Sequence, residues 1–511
     1  MIRSTTTPLA RSVPFAVSSP LPEPTGAVTF PATFRWGAAT AAYQVEGAAG
    51  TGGRGESIWD VFCQIPGAVH AGDDGSVACD QYHRYREDVA LLRDLGLDSY
   101  RFSTSWARVM PDGRTLNRAG LDYYSRLVDE LLGSGTSPWL TLYHWDLPQA
   151  LEADGGWPTR ETAYRFADYA VAMYEALGDR VRTWTTLNEP WCSAFLGYTA
   201  GVHAPGRQSP EDGLAAAHHL LLGHGLALGE IRRRDSDASL GITLNFTVAD
   251  PYDPGDPDDV EAARIEDGFF NRIFLDPIFT GTYPADIIDD TRHLGLLDHV
   301  RDGDLELISA PIDVLGVNYY NGAAVSGHPD QAVPAGQNRP DGVRSVGDGP
   351  HREVSPPQPV GSVHHRSRGL PTTDMGWEVQ PEGLTRLLLR LQADYTGPRE
   401  VAMYVTENGA AYPDQVRADG TVDDPDRIAY LDTHLRAVAA AMEAGADVRG
   451  YFAWSLLDNF EWALGYSKRF GIVRVDYETQ ERTVKASGHW YARVAANHCL
   501  PPRVARLGSR S

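Results

Sequence analysis

The chain has 511 residues, 42% of them hydrophobic, which is enough to bury a large core. Length alone suggests two or more domains, although α/β barrels often run this long as one. Acidic residues outnumber basic ones 68 to 45, and a formal charge of −23 repels phosphate backbones and anionic lipid, arguing against nucleic-acid and membrane-surface partners.

Residues 1–29 carry Pro14, Pro20, Pro22 and Pro24 and no apolar run of signal-peptide length, so they read as a flexible tail. No stretch approaches the ~18–20 apolar residues of a membrane span. Cys63, Cys79, Cys192 and Cys499 are scattered, form no CxxC pair and read as buried reduced thiols. The expected compartment is the cytoplasm.

From residue 30 short β-rich runs alternate with amphipathic ones. The expected strands are Phe34–Ala38, Ser99–Trp106, Pro138–Trp145, Thr183–Asn188, Leu240–Phe246, Val314–Tyr320, Ala402–Glu407 and Gly450–Ser455. Between the first two lies YREDVALLRDLG, where Tyr85, Val89 and Leu92 share a helical face and Gly96 marks a stop. Before the last lies PDRIAYLDTHLRAVAAAMEAG, with Gly445 just past its end. Strand–helix alternation repeated eight times predicts an α/β fold, a (β/α)₈ TIM barrel over 30–497, with long loops at the C-terminal ends of the strands. Residues 498–511 read as a C-terminal tail. Residues 325–370 are rich in Pro and Gly without periodicity and read as an insertion that partly covers the pocket, with His364 and His365 solvated.

Several strands finish in polar or aromatic clusters: TLYHWD, TTLNEP, GVNYY, YVTENG and AWSLLDNFEW. Each alone is equally well an ordinary turn. Five at one mouth of one barrel are not, because catalytic residues of this architecture sit at C-terminal strand ends. Two glutamates stand at strand ends in comparable settings, Glu189 in TTLNEP and Glu407 in YVTENG, on strands four and seven, which face each other across the mouth. Hydrolysis of a glycosidic bond needs such a pair, one carboxylic acid for the leaving oxygen and one carboxylate for the anomeric carbon. Asn188 and Asn408 adjoin the pair, and an amide there can bind a sugar hydroxyl.

FRWGAATAAYQVEG, YRFSTSWARVMPDG, YHWDLPQAL, TLNEPW, GVNYY, VTENG and WSLLDNFEWALGYSKRFG occur in this order between Phe34 and Tyr491. Together they resemble family 1 glycoside hydrolases, and most of all the bacterial β-glucosidases. The resemblance implies that Glu189 is the acid/base and Glu407 the nucleophile, with Arg101 and Tyr320 holding Glu407. It implies a sugar site of Gln44, His144, Asn188, Asn318, Trp454, Glu461 and Trp462, with Trp377 under the leaving group and Phe470 at the outer edge. Glu461 would repel a 6-phosphate, so the implied substrates are neutral β-glucosides and short β-linked oligosaccharides. No cofactor and no metal are implied, and oligomeric state is not legible. Other readings are a transglycosylase using the same intermediate, a non-catalytic sugar-binding protein on this fold, and a metal-dependent hydrolase, the last disfavoured by the lack of an HExxH or similar ligand set.

Overall fold

A computed structural model describes residues 24–329 and 355–503. Eight parallel strands close into a barrel in chain order: β1 Arg35–Ala39, β2 Ser99–Ser103, β3 Ser137–Tyr143, β4 Thr183–Asn188, β5 Ser239–Phe246, β6 Val314–Tyr319, β7 Ala402–Asn408 and β8 Val448–Trp454. Each expected strand is present, Thr183–Asn188 with the expected ends and the others with one or both ends shifted. The run Ser99–Trp106 stops at Ser103 because Trp106 opens a short helix, Trp106–Val109. The run Pro138–Trp145 stops at Tyr143, and Trp145 takes a left-handed φ of 75°.

The helices follow their sequence signals. Gln81–Asp94 buries Tyr85, Val89 and Leu92, and Gly96 behind it has a φ of +66°. Pro425–Glu443 starts with proline in its first turn, where no backbone donor is lost, and Gly445 follows it at φ +104°. Among the described residues no helix is long and apolar enough to cross a membrane.

The barrel interior departs from a plain branched-aliphatic filling. Trp139 on β3 meets Tyr404 on β7 and Phe452 on β8 at ring distances of 4.9 and 5.3 Å, contacts that run through the middle of the barrel. Gly37 makes room for this plug, since a Cβ there would stand 2.4 Å from the Phe452 ring. Arg101 is in register with Trp139 and so shares its inward face. Above the plug the lining turns polar. Thr141 and Thr185 join hydroxyls at 2.9 Å, and a Cβ on Gly316 would collide with the hydroxyls of Thr243 and Thr406.

Parts of both expected tails, 1–29 and 498–511, are anchored to the barrel domain. Val28–Thr29 pairs antiparallel with Cys499–Leu500, and buried Arg436 donates to the carbonyls of Pro24, Gly26 and Pro501. Residues 24–29 and 498–503 are therefore part of the folded unit, while 1–23 and 504–511 lie outside the described residues. The insertion 325–370 is likewise only partly irregular. His364–Arg366 pairs with Ala323–Ser326, which pairs with Ala249–Pro251, forming a small outer sheet. His365 is not solvated; its Nε2 lies 3.4 Å from the buried Glu266 carboxylate. Residues 330–354 lie outside the described residues.

The loop after β8 rests on a buried charge cluster. Lys485 Nζ lies 2.6 Å from Asp414 and 2.7 Å from Asp458, Arg427 pairs with Asp414 and Asp424, and Arg469 stands 2.6 Å from Asp458. Asp458 also accepts from the Gly471 amide at 2.9 Å, so the cluster pins both ends of the loop bearing Glu461, Trp462 and Phe470. Charges taken out of water are stable only when paired, and removing one partner of a buried pair costs roughly 3–5 kcal/mol. Lys485→Met is expected to lower stability by an amount in that range, measured by chemical denaturation. An unchanged midpoint would show that the cluster does not hold the loop.

Candidate active site

A cleft opens at the C-terminal ends of the strands. Glu189 directly follows β4, and Glu407 lies within β7, opposite Asn318 in the register with β6. Both carboxyls line the cleft, and both are nearly inaccessible to solvent. Glu189, Trp145 and Trp462 line it with left-handed backbone, φ 48°, 75° and 49°. Such conformations cost non-glycine residues on the order of 1–3 kcal/mol each, so the contacts below must hold them.

The two carboxyls are held in opposite ways. Arg101 Nη1 donates to Glu407 Oε1 at 2.5 Å, and the Tyr320 hydroxyl donates to Oε2 at 2.8 Å. Glu189 receives only neutral donors, the Asn318 amide on Oε1 at 2.6 Å and the Cys192 thiol on Oε2 at 3.2 Å. Amides join the two halves. Asn188 Oδ1 accepts from Arg101 Nη2 at 2.5 Å and from Asn318 Nδ2 at 3.1 Å. Thr406 donates to Asn318 Oδ1 at 2.7 Å, which turns the Asn318 NH₂ group toward Glu189.

This asymmetry sets the charge. Burial and the charge on Glu407 push the Glu189 pKa up to about 8, with Asn318, Cys192 and Arg101 opposing. Burial also pushes Glu407 above the ordinary carboxylate range, but Arg101, Tyr320 and Asn318 all pull it back. Two coupled carboxyls with a guanidinium on one share their protons unequally, so the negative charge settles on Glu407 and the proton on Glu189. Glu461 is pushed up to about 8 by burial and by both other glutamates.

The remaining expected residues surround this pair. His144, Tyr320, Asn318, Trp377, Trp454, Glu461, Trp462 and Phe470 line the cleft. His144 lies between Trp454 and Trp462, with ring centroids 5.9 Å from each and nearly parallel. Its Nε2 meets Asn188 Nδ2 at 3.1 Å. Because Asn188 Oδ1 is already an acceptor, that ring nitrogen must accept and the proton sits on Nδ1. Burial, and then Arg101, hold the ring neutral, far below its usual pKa. Among the described residues Nδ1 has no hydrogen-bond partner, nor do Gln44 Oε1 and Glu461 Oε2, all three buried. Unpartnered buried polar atoms are costly and suit a ligand rich in hydroxyls.

Arg101, Asn188 and Gln44 do not line the cleft. The first two lie beneath it in the hydrogen-bond chain. Gln44 Nε2 donates to the Phe460 carbonyl at 2.8 Å and to Asn459 Oδ1 at 3.1 Å, tying the loop that bears Glu461. No described residue of 325–370 lines the cleft, so these residues do not form the expected cover. Sequence reasoning missed Trp145, Trp191, Cys192, His203, Asn245, Phe270 and Met375. Trp145 and Trp191 sit inside motifs already singled out and were legible by position. Among the described residues Asp256, Asp258 and His328 are grouped closely enough to hold a metal ion, but none of them lines the cleft.

Residues 27–499 match the family model for glycosyl hydrolase family 1. A bifunctional β-D-glucosidase/β-D-fucosidase of Bifidobacterium breve is 48% identical over 480 residues, 92% of this chain and 98% of that one. β-Glucosidase A of Thermotoga maritima is 43% identical over 473 residues, 92% and 98% of the two chains. Among solved structures, the psychrophilic β-glucosidase BglU of Micrococcus antarcticus superposes with a TM-score of 0.87 at 56% identity, covering 92% of this chain and 98% of that one. The T. maritima enzyme, also solved in complex with deoxynojirimycin, gives a TM-score of 0.81 at 41% identity, covering 92% and 99%. The chain belongs to glycosyl hydrolase family 1.

Proposed function

We propose that this chain is a retaining β-glucosidase that removes terminal non-reducing β-D-glucosyl residues from β-glucosides and short β-linked oligosaccharides. The observation that carries the reading is the unequal pair of buried carboxyls, Glu407 held by Arg101 and Tyr320, Glu189 by neutral donors. The relatives named as β-glucosidases support the same substrate class.

Glu407 attacks the anomeric carbon as Glu189 gives its proton to the departing oxygen. The resulting ester at Glu407 carries no charge, which removes the second largest cause of the raised Glu189 pKa. Glu189, now ionised, takes a proton from water as the water attacks the sugar from the side the leaving group left. Two inversions give retention.

Sugar recognition follows from the unpartnered atoms. Glu461 takes a far hydroxyl, with Gln44 holding the loop that carries it, and His144 Nδ1 and the Trp462 edge take the 3-OH. Trp454 lies flat against the C–H face of the ring. Trp377, with Tyr320 at 5.4 Å and Phe470 at 6.2 Å, offers an apolar wall to the leaving group. We place the enzyme in the cytoplasm, where its four free thiols would stay reduced.

Proton NMR of the first sugar released from an aryl β-glucoside tests the reading. β-Glucose is expected first, with the α-anomer growing in by mutarotation. Initial α-glucose would mean inversion and would contradict it.

The pH profile of kcat/KM is expected to be bell-shaped. Glu189 must be protonated for the first step, so activity falls as pH rises through about 8. Glu407 must be ionised, so activity falls as pH drops through its raised pKa. Glu461 shares the upper value, which a pair of variants separates. With phenyl β-glucoside, whose departure needs the acid, Glu461→Gln should keep the alkaline limb, whereas Glu189→Gln, assayed with dinitrophenyl β-glucoside, whose leaving group needs no proton, should show none. The reverse pattern would reassign the acid.

A further inference from the structure

The wall of the cleft behind Glu189 contains a thiol. Cys192 opens the helix that follows β4, and its backbone N–H donates to the Glu189 carbonyl at 2.9 Å, fixing the two side chains on one turn. Its Sγ stands 3.2 Å from Glu189 Oε2 and lines the cleft. On its other side Asn245 Nδ2, from β5, points an N–H at the sulfur from 3.7 Å. That donor occupies a lone pair of the sulfur and leaves the thiol proton for the carboxyl. Asn318 holds Oε1, so Oε2 is the oxygen left to exchange a proton with the leaving group or with water.

Resting on the assignment of Glu189 as acid/base, we infer that Cys192 is a positioning residue for this reaction, its thiol steadying Glu189 Oε2 with a deliberately weak hydrogen bond. The chemistry of sulfur fits the task. A thiol is a weak donor and a weak acceptor. It steadies the carboxylate while Glu189 is a base, and it releases Oε2 at little cost when that oxygen carries the proton. A hydroxyl would favour the carboxylate more strongly and leave less of Glu189 protonated for the first step. A methyl group would give no donor and leave less of it ionised for the second.

The other groups facing Glu189 come from different elements and stay in place when Cys192 changes. They are Arg101 on β2, His144 after β3, Asn318 on β6 and Tyr320 just after it, Glu407 on β7 and Glu461 after β8. A shift of the alkaline limb in a Cys192 variant therefore reports the thiol itself.

The test is the kcat/KM–pH profile with phenyl β-glucoside, whose departure needs the acid, for wild type, Cys192→Ala and Cys192→Ser, each checked for an unchanged fold by its melting curve. Removing a donor from a carboxylate disfavours its charged form, so the Ala variant should move the alkaline limb up by about half a pH unit. The Ser variant should leave it at or below the wild-type position. Limbs in the Ala variant within about 0.2 pH unit of wild type, or equal upward shifts in both variants, would overturn the inference. Glu189→Gln with dinitrophenyl β-glucoside serves as the control. If the limb survives there, the acid/base assignment is what fails, and not the role of Cys192.

Discussion

A guanidinium inside the barrel governs this site. Arg101 is 1% exposed, and a charge so removed from water is stable only beside a partner of opposite sign. Glu407 supplies the charge and Asn188 the second acceptor. The same contact biases Glu407 toward its carboxylate and therefore leaves Glu189, coupled to it, with the proton. In the proposed mechanism this buried ion pair decides which glutamate is nucleophile and which is acid.

The rest of the architecture makes that pair possible. The aromatic plug of Trp139, Tyr404 and Phe452 fills the barrel below Arg101, and threonines and glycines fill the level of the hydrogen-bond chain. Above them the loop after β8 brings Glu461, Trp462 and Phe470 over the cleft, held by the charges around Lys485 and Asp458. The left-handed backbone at Glu189, Trp145 and Trp462 shows where regular structure gives way to the needs of the site. Strain concentrated at a cleft, on a rigid barrel, is the usual arrangement for catalysis.

Much of this was legible in the sequence, for physical reasons. The strands were visible because buried parallel strands read as continuous β-rich runs, and Gly96 and Gly445 marked helix ends because each adopts a positive φ. Glu189 and Glu407 stood out as acids at strand ends, where turns alone do not need them. The polar network was less visible. That Asn188 serves Arg101 and Asn318, or that Cys192 touches Glu189, depends on rotamers and register that no motif records. The anchoring of residues 24–29 was hidden because its partners, Arg436 and Cys499–Leu500, lie over 400 residues away. His365 was misread for the same reason, since its buried partner Glu266 belongs to a distant helix.

The central claim is that Glu407 becomes covalently joined to the sugar. Dinitrophenyl 2-deoxy-2-fluoro-β-glucoside tests it directly, because the fluorine slows both steps while the good leaving group lets the first proceed and the ester accumulate. Proteolysis and mass spectrometry of the inactivated enzyme should place one fluoroglucosyl group on the peptide containing Glu407. A label on Glu189, or turnover with no label while natural substrate is inverted, would contradict the account.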